Sequence, residues 1–135
     1  MKSIYSLVNP TLLLHLILDQ SDFNGRNEII PEKNFLQLAS IDGTKGQKFA
    51  AHRHIPKVVN FDEFYAQESW VVLHGAVKVT YFDIDDTEID QLIIQAGEVS
   101  VTLLGGHAYE VLEDARVLEF KTGPYFGKNA DKIFI

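Results

Sequence analysis

The chain contains no cysteine. That excludes a disulfide scaffold, a thiolate metal site and a cysteine nucleophile together. It has little methionine and tryptophan, one of each, and only four prolines. Basic charge is also short, with 12 Lys and Arg against 19 Asp and Glu for a formal net charge of −7. No basic run exists, so the electrostatic footprint of a nucleic-acid binder is missing. There is no long hydrophobic run either. The longest, Leu7 to Leu18, is interrupted by Asn9, Pro10 and His15, and Asp19, Gln20, Ser21 and Asp22 follow it. It is too short to span a bilayer and lacks a small-residue cleavage pattern, so the expectation is a cytoplasmic protein with no membrane partner. No Gly-X-Ser-X-Gly, P-loop or dinucleotide fingerprint occurs, which sets aside serine hydrolysis, NTP hydrolysis and Rossmann redox chemistry.

What the chain does contain is strand pattern. At 135 residues it is long enough for one domain with a sizeable core, and its nine glycines and 11% aromatics suit a loop-rich β protein. Phe35–Ile41 alternates apolar and polar residues, and Asp42–Gly46 reads as a turn. Gln47–His54 is expected as a second strand. Ser69–Phe82 is a long β-rich run with Gly75 placed to kink or turn it. Ile89–Ile94, Val99–Leu104, Ala108–Leu112 and Arg116–Lys121 complete a set of short strands at the spacing of a sandwich or barrel. Before residue 35 the reading differs. Asn9 as cap, Pro10 at the first helical position, and Leu12, Leu13, Leu16 and Ile17 fit a short amphipathic helix. Residues 1–34 are therefore read as an extension packing on the barrel or on a partner, and 35–135 as the barrel.

Two segments carry chemistry. His52 and His54 are one residue apart, and on a strand residues i and i+2 share a face. Two imidazoles projecting together are half of a metal site, although five histidines make a chance doublet a real alternative. Glu68 then heads ESWVVLHG, and Gly97 opens GEVSVTLLGGH, which ends in His107 after Gly105 and Gly106.

These residues together resemble the cupin superfamily. Its first motif is Gly, five residues, His-X-His, a gap, Glu, six residues, Gly; here that is Gly46, His52, His54, Glu68 and Gly75. Its second motif begins at Gly97, with Gly105 matching the inner glycine and His107 the histidine. The chain departs from the pattern in a thirteen-residue gap, IPKVVNFDEFYAQ, between His54 and Glu68. It also has Leu103 in place of Pro, His107 one residue early, and apolar sequence around Val111 where Asn is usual. Glu63 also lies in the gap, but Glu68 has the motif distance to Gly75. FNGRNEIIP, HRHIP, the GGH turn and KTGPYFG are similar to small single-domain cupins associated with bacterial surface-polysaccharide synthesis.

The resemblance implies an all-β cupin double-stranded β-helix, a jelly-roll barrel, with the short N-terminal helix beside it. It implies a divalent transition metal, Fe, Mn, Ni or Zn, on His52, His54, Glu68 and His107, with positions left open for a ligand. The function that follows is a metal-binding cupin that binds or transforms a small polar molecule, a sugar or sugar nucleotide among the candidates. A non-catalytic sensing module, an isomerase- or epimerase-like enzyme and a metal-dependent dioxygenase are the alternatives, because the fold alone does not select the chemistry. Trp70 and Val72 share the strand face of Glu68, and Tyr109 shares that of His107. Trp70 and Tyr109 are thus pocket candidates, and Tyr109 a candidate proton donor.

The remaining polar residues have blander readings. His15 is expected as a satisfied core or interface histidine, His74 as solvent-facing, and Asp83–Glu88 as a solvated hairpin. Leu118 and Phe120 are expected in the core in preference to Glu119 and Lys121. Arg26 reaches an acidic ligand or pairs with a surface carboxylate. Residues 55–67 are expected as a loop or edge strand over the barrel mouth. A homodimer whose interface includes Leu12, Leu13, Leu16 and Ile17 is the expected assembly.

Overall fold

Ten strands organise the chain: β1 (Lys2–Tyr5), β2 (Leu13–Leu18), β3 (Arg26–Glu28), β4 (Ala39–Ile41), β5 (Glu68–His74), β6 (Ala76–Phe82), β7 (Glu88–Gln95), β8 (Val99–Thr102), β9 (Gly106–Val111) and β10 (Arg116–Lys121). The structure, a computed structural model, describes residues 1–31, 33–54, 56, 64–123, 127 and 132–135. All strand pairs are antiparallel. A five-stranded sheet has the order β1-β2-β8-β5-β10 and a three-stranded sheet the order β7-β6-β9, with β3 and β4 as a separate ribbon. The large and small sheets face each other across Ile4, Val72, Val77, Val79, Tyr81 and Ile94. A second core lies on the outer face of the large sheet, where Leu16, Leu18, Val99 and Val101 are covered by Ile30, Leu36 and Leu38 from the segment around the ribbon. Each such side chain contributes on the order of 1.5–3 kcal/mol by leaving water.

The all-β expectation holds, but the N-terminal helix does not. The only helical turn among the described residues is a 3-10 turn at Gln20–Asp22. The run expected as a helix is β2, bonded to β1 on one side and β8 on the other. A strand inside a sheet covered on both faces reads as an unbroken apolar run, and over so short a span helical and strand spacing coincide. Asn9 caps a turn here, not a helix: its side chain accepts from Thr11 N–H at 3.2 Å, and Ser6 N–H donates to Leu12 C=O at 3.0 Å to close the β1–β2 hairpin. Residues 1–34 are therefore no appended extension, since β1 and β2 belong to the large sheet. The leucines expected at a dimer interface are used inside the subunit: Leu16 is buried, and Leu13 and Ile17 pack against the two cores.

Other differences are local. Gln47–His54 is irregular and exposed rather than a strand. Its one large apolar side chain, Phe49, is 63% exposed, so the segment has no apolar face to bury. Only Ala39–Ile41 of the expected Phe35–Ile41 strand pairs, with Phe35 stacked on Phe64 instead. The run Ser69–Phe82 is two strands, split where Gly75 takes φ +78°. A Cβ there would lie 2.4 Å from the Asp114 carbonyl oxygen, so the turn admits glycine alone. In β10 the register pairs Val117 with Val72 and Glu119 with Trp70 on the inner face, and Leu118 with Val71 on the outer. Leu118 and Phe120 are consequently 46% and 54% exposed, because Val117 already fills the core at that edge. The acidic hairpin is only partly solvated. Asp83 is buried and accepts from Leu7 N–H at 2.5 Å, Val8 N–H at 3.3 Å and Ile84 N–H at 2.7 Å. Burial would raise its pKa, but the Ser6 hydroxyl and these three amides outweigh that and lower it. The expected cover over the barrel mouth, residues 55–67, lies mostly outside the described residues.

Candidate functional site

Strand register gathers the polar residues into one inward-facing row. Across the large sheet Lys121 (β10) pairs with Glu68 (β5), Glu68 with Thr102 (β8), Thr102 with His15 (β2), and His15 with Ile4 (β1). The next inward row is Glu119, Trp70, Ser100 and Ile17. From the facing sheet β9 contributes His107 opposite Tyr81, and Tyr109 opposite Val79. Strand alternation therefore sends Glu68 and Trp70 from one sheet toward His107 and Tyr109 of the other.

Glu68 and His107 meet, with His107 Nε2 3.2 Å from Glu68 Oε1. Trp70 Nε1–H donates to the same oxygen at 3.0 Å. Burial pushes the Glu68 pKa up, but His107 by hydrogen bond and charge, Lys132 by charge and Trp70 by hydrogen bond prevail, leaving it below the ordinary value. Trp70 and Tyr109 stack face to face, 3.7 Å between centroids and 5° between planes, and the His107 ring tilts against Tyr109 at 5.0 Å. The Tyr109 Oη is buried without a hydrogen-bond partner among the described residues. Burial first, and then the Glu68 carboxylate, push its pKa well above that of an ordinary phenol.

Behind this pair lies a chain that the sequence reading did not assemble. His107 Nδ1 is 3.0 Å from Thr102 Oγ1, and His15 Nδ1 is 3.1 Å from the same oxygen. His15 Nε2 is 3.3 Å from the Phe82 carbonyl oxygen. His15 is 0% exposed, and burial lowers its pKa from 6.5 to about 4, against a partial offset from Phe82. Gly105 permits the close approach: a Cβ on it would lie 2.5 Å from Phe82 O and 3.4 Å from His15 Nε2. Beside the chain Tyr81 Oη and Ser100 Oγ are 2.8 Å apart, and burial pushes the Tyr81 pKa up to about 12. The signal for Ser100 and Thr102 was present in VSVT, whose polar residues alternate with two buried valines and so occupy the inward face.

Of the four expected metal ligands, the structure joins Glu68 to His107 and His52 to His54. The rings of His52 and His54 are 5.3 Å apart, edge to face, on the exposed segment, and His52 Nδ1 lies 2.9 Å from the Ala50 carbonyl oxygen. Among the described residues no group of three or more His, Asp or Glu side chains could hold a metal ion. The two expected pocket residues, Trp70 and Tyr109, stand at the Glu68–His107 pair. His74 is exposed, with Nδ1 3.0 Å from Asp114 O. Arg26 pairs with Glu28. No helix among the described residues is long and apolar enough to cross a membrane. Comparison with family models, curated proteins and solved structures returns no match.

Proposed function

We propose that the chain is a small cupin-type protein that binds a divalent transition metal at Glu68 and His107 and takes a small polar molecule beside it. The observation that carries this reading is the Glu68–His107 contact itself, a carboxylate and an imidazole delivered by different sheets to 3.2 Å. A mixed oxygen and nitrogen donor pair suits Fe, Mn, Ni or Zn. Bound there, such an ion would supply Lewis-acid polarisation to the ligand. Two donors do not make a site, so the reading requires His52 and His54 to complete it. The sugar or sugar-nucleotide class of ligand rests on the resemblance carried by FNGRNEIIP, HRHIP, GGH and KTGPYFG.

Within this reading the non-catalytic binding module is favoured over the enzyme. Tyr109, the one proton-donor candidate, is stacked under Trp70 and has a pKa raised by burial and by Glu68, so it holds its proton at neutral pH and serves as a hydrogen-bond donor. A homodimer stays part of the proposal on a different face from the one expected. The outward row Leu73, Leu118 and Phe120 is left exposed at the β10 edge, and a second copy paired along that edge would cover it. A twofold at Phe120 would set Glu119 opposite the second copy's Lys121, and Lys121 opposite its Glu119.

The test is metal content and affinity. Untagged full-length protein, stripped with chelator and titrated separately with Zn, Mn, Ni and anaerobic Fe(II), should take up one ion per chain. Glu68→Gln, His107→Gln, His52→Gln and His54→Gln should each weaken uptake at least tenfold. No uptake of any of the four ions would overturn the reading. Unchanged uptake in Glu68→Gln and His107→Gln would do the same.

A further inference from the structure

We infer that the Glu68–His107 site is shared between two copies of the chain, the second copy's β10 supplying Glu119 to it. This rests on the dimer proposed above and adds its register and what that register brings to the site. Between its two sheets the subunit is closed on one side and open on the other. On the closed side Lys2 of β1 reaches across to Asp90 of β7 at 2.6 Å. On the open side stand β10 and β9, the last strands of their sheets. Val111, on the inward row of β9 opposite the buried Val77, is 60% exposed there. Glu68 and Trp70 lie on β5, the strand next to that opening.

Backbone direction and charge select one register. Thr122 N–H donates to Gln67 C=O at 3.0 Å, one residue along from the Lys121–Glu68 pair. In an antiparallel pair the backbone groups turn to alternate sides residue by residue. Those of Thr122, Phe120 and Leu118 therefore face β5, and those of Val117, Glu119 and Lys121 face the open edge. Two such edges can pair about a twofold axis at several residues. Centred on Glu119 the pairing sets glutamate against glutamate, and centred on Lys121 it sets lysine against lysine. Like charges directly opposite are destabilising. Centred on Leu118 it faces Glu119 with Val117 and Phe120 with Arg116. Centred on Phe120 it forms the Glu119–Lys121 pair twice, with backbone hydrogen bonds at each, and sets Phe120 on Phe120 as the closer non-hydrogen-bonded pair. That register also places two opposite-charge pairs between chains that each carry a net −7. Glu119 and Lys121 lie on the inward face with Glu68. The row from Glu68 to Lys121 in one chain thus continues to the second copy's Glu119, two strand spacings or about 10 Å from Glu68. This carboxylate adds negative charge to the site and a direct partner for Lys121. A cation at Glu68 and the dimer then favour each other, since each strengthens the other by the same factor.

Cysteine crosslinking reads the register, on a chain with no cysteine of its own. Under mild oxidation full-length Phe120→Cys should give a covalent dimer, its two Cα atoms lying about 4.5 Å apart in the non-hydrogen-bonded pair. Leu118→Cys, offset from its copy by about 13 Å along the strand, should not. Glu119→Cys mixed with Lys121→Cys should couple to each other, which reads the position of the second copy's Glu119 with Phe120 left in place. A wild-type dimer by light scattering whose variants fail either coupling keeps the assembly and overturns the shared site. A monomeric wild type overturns both. Saturating Zn should tighten the wild-type dimer about fourfold or more, the Coulomb gain of a divalent ion about 10 Å from one carboxylate in bulk water, and should change the Glu119→Gln dimer little. Zn-loaded wild type with an unchanged dimer constant overturns the shared site even where the crosslinks form. A chain that takes up none of Zn, Mn, Ni or Fe(II) ends the metal reading, and the crosslinks then decide the shared site by themselves.

Discussion

Acidification should unfold this protein through His15 before its carboxylates matter. The ring is wholly buried between β1 and β8 and packs against Tyr81 at 4.7 Å, and burial lowers its pKa from 6.5 to about 4. A basic group with a lowered folded pKa binds fewer protons folded than unfolded, so stability falls as pH drops below the unfolded value and goes on falling until the folded value is reached. The window is thus pH 6.5 down to about 4. At 1.36 kcal/mol per unit, the full effect is about 3 kcal/mol, of which about 2 kcal/mol is lost between pH 7 and pH 5. Carboxylates with lowered pKa values, such as Glu68, contribute only below their unfolded pKa and so act later in the titration. The assay is urea unfolding of wild type and His15→Gln across that range. Glutamine keeps hydrogen-bonding capacity and does not titrate, so the variant should start less stable at pH 7 yet lose about 2 kcal/mol less on going to pH 5. Two profiles that fall in parallel would refute the reasoning, since they would mean that His15 is protonated as readily in the fold as outside it.

Three further outcomes follow from single contacts. Gly75→Ala should cost about 3 kcal/mol in urea unfolding, through backbone strain at φ +78° and a contact of 2.4 Å with Asp114 O. Trp70→Phe retains a ring over Tyr109 but removes the indole donor to Glu68; a loss of about 1.5 kcal/mol is expected, and an unchanged urea midpoint would remove that hydrogen bond from the account of the site. Light scattering at micromolar concentration should give a dimer for wild type and a monomer for Leu118→Lys with Phe120→Lys, whereas a monomeric wild type would refute the assembly.

The β content was legible because it rests on alternation, which side-chain geometry enforces residue by residue. Arg116–Lys121 matches β10 throughout, and Val77, Val79 and Tyr81 line the inner face of β6 as their spacing requires. The shared faces were legible too: Glu68 with Trp70, and His107 with Tyr109, follow from strand parity alone. Where alternation was absent the reading slipped. Leu13–Leu18 has apolar residues at both parities because both faces of β2 are covered, and a uniform run carries no period. KFAAHRH offers no apolar face, so nothing in it specifies a pairing partner, and the strand expected over Gln47–His54 had no burial to hold it. The choice of inward residues in β10 failed for a related reason. Alternation shows which residues share a face but not which face is inside, and at a sheet edge the outer row can stay uncovered.

The least legible feature was the most consequential one. His15 lies 87 residues from Thr102 in the chain, and the sequence offers nothing to connect LLLHLIL with VSVT until β2 and β8 are known to be neighbours. Yet each residue was individually out of place, a histidine in an apolar run and hydroxyls alternating with valines. Burying polar groups costs free energy unless they are paired. Several such groups at inward positions therefore have to satisfy one another, and in a two-sheet structure they can do so only at one level of the stack. The polar level found here, from Lys121 through Glu68 and Thr102 to His15, is closed by His107 from the facing sheet. An interior built only for stability would fill that level with valine and leucine, as the level around Val72, Val77 and Ile94 does. Its polar composition, ending in the Glu68–His107 contact, is the physical support for the binding site proposed there.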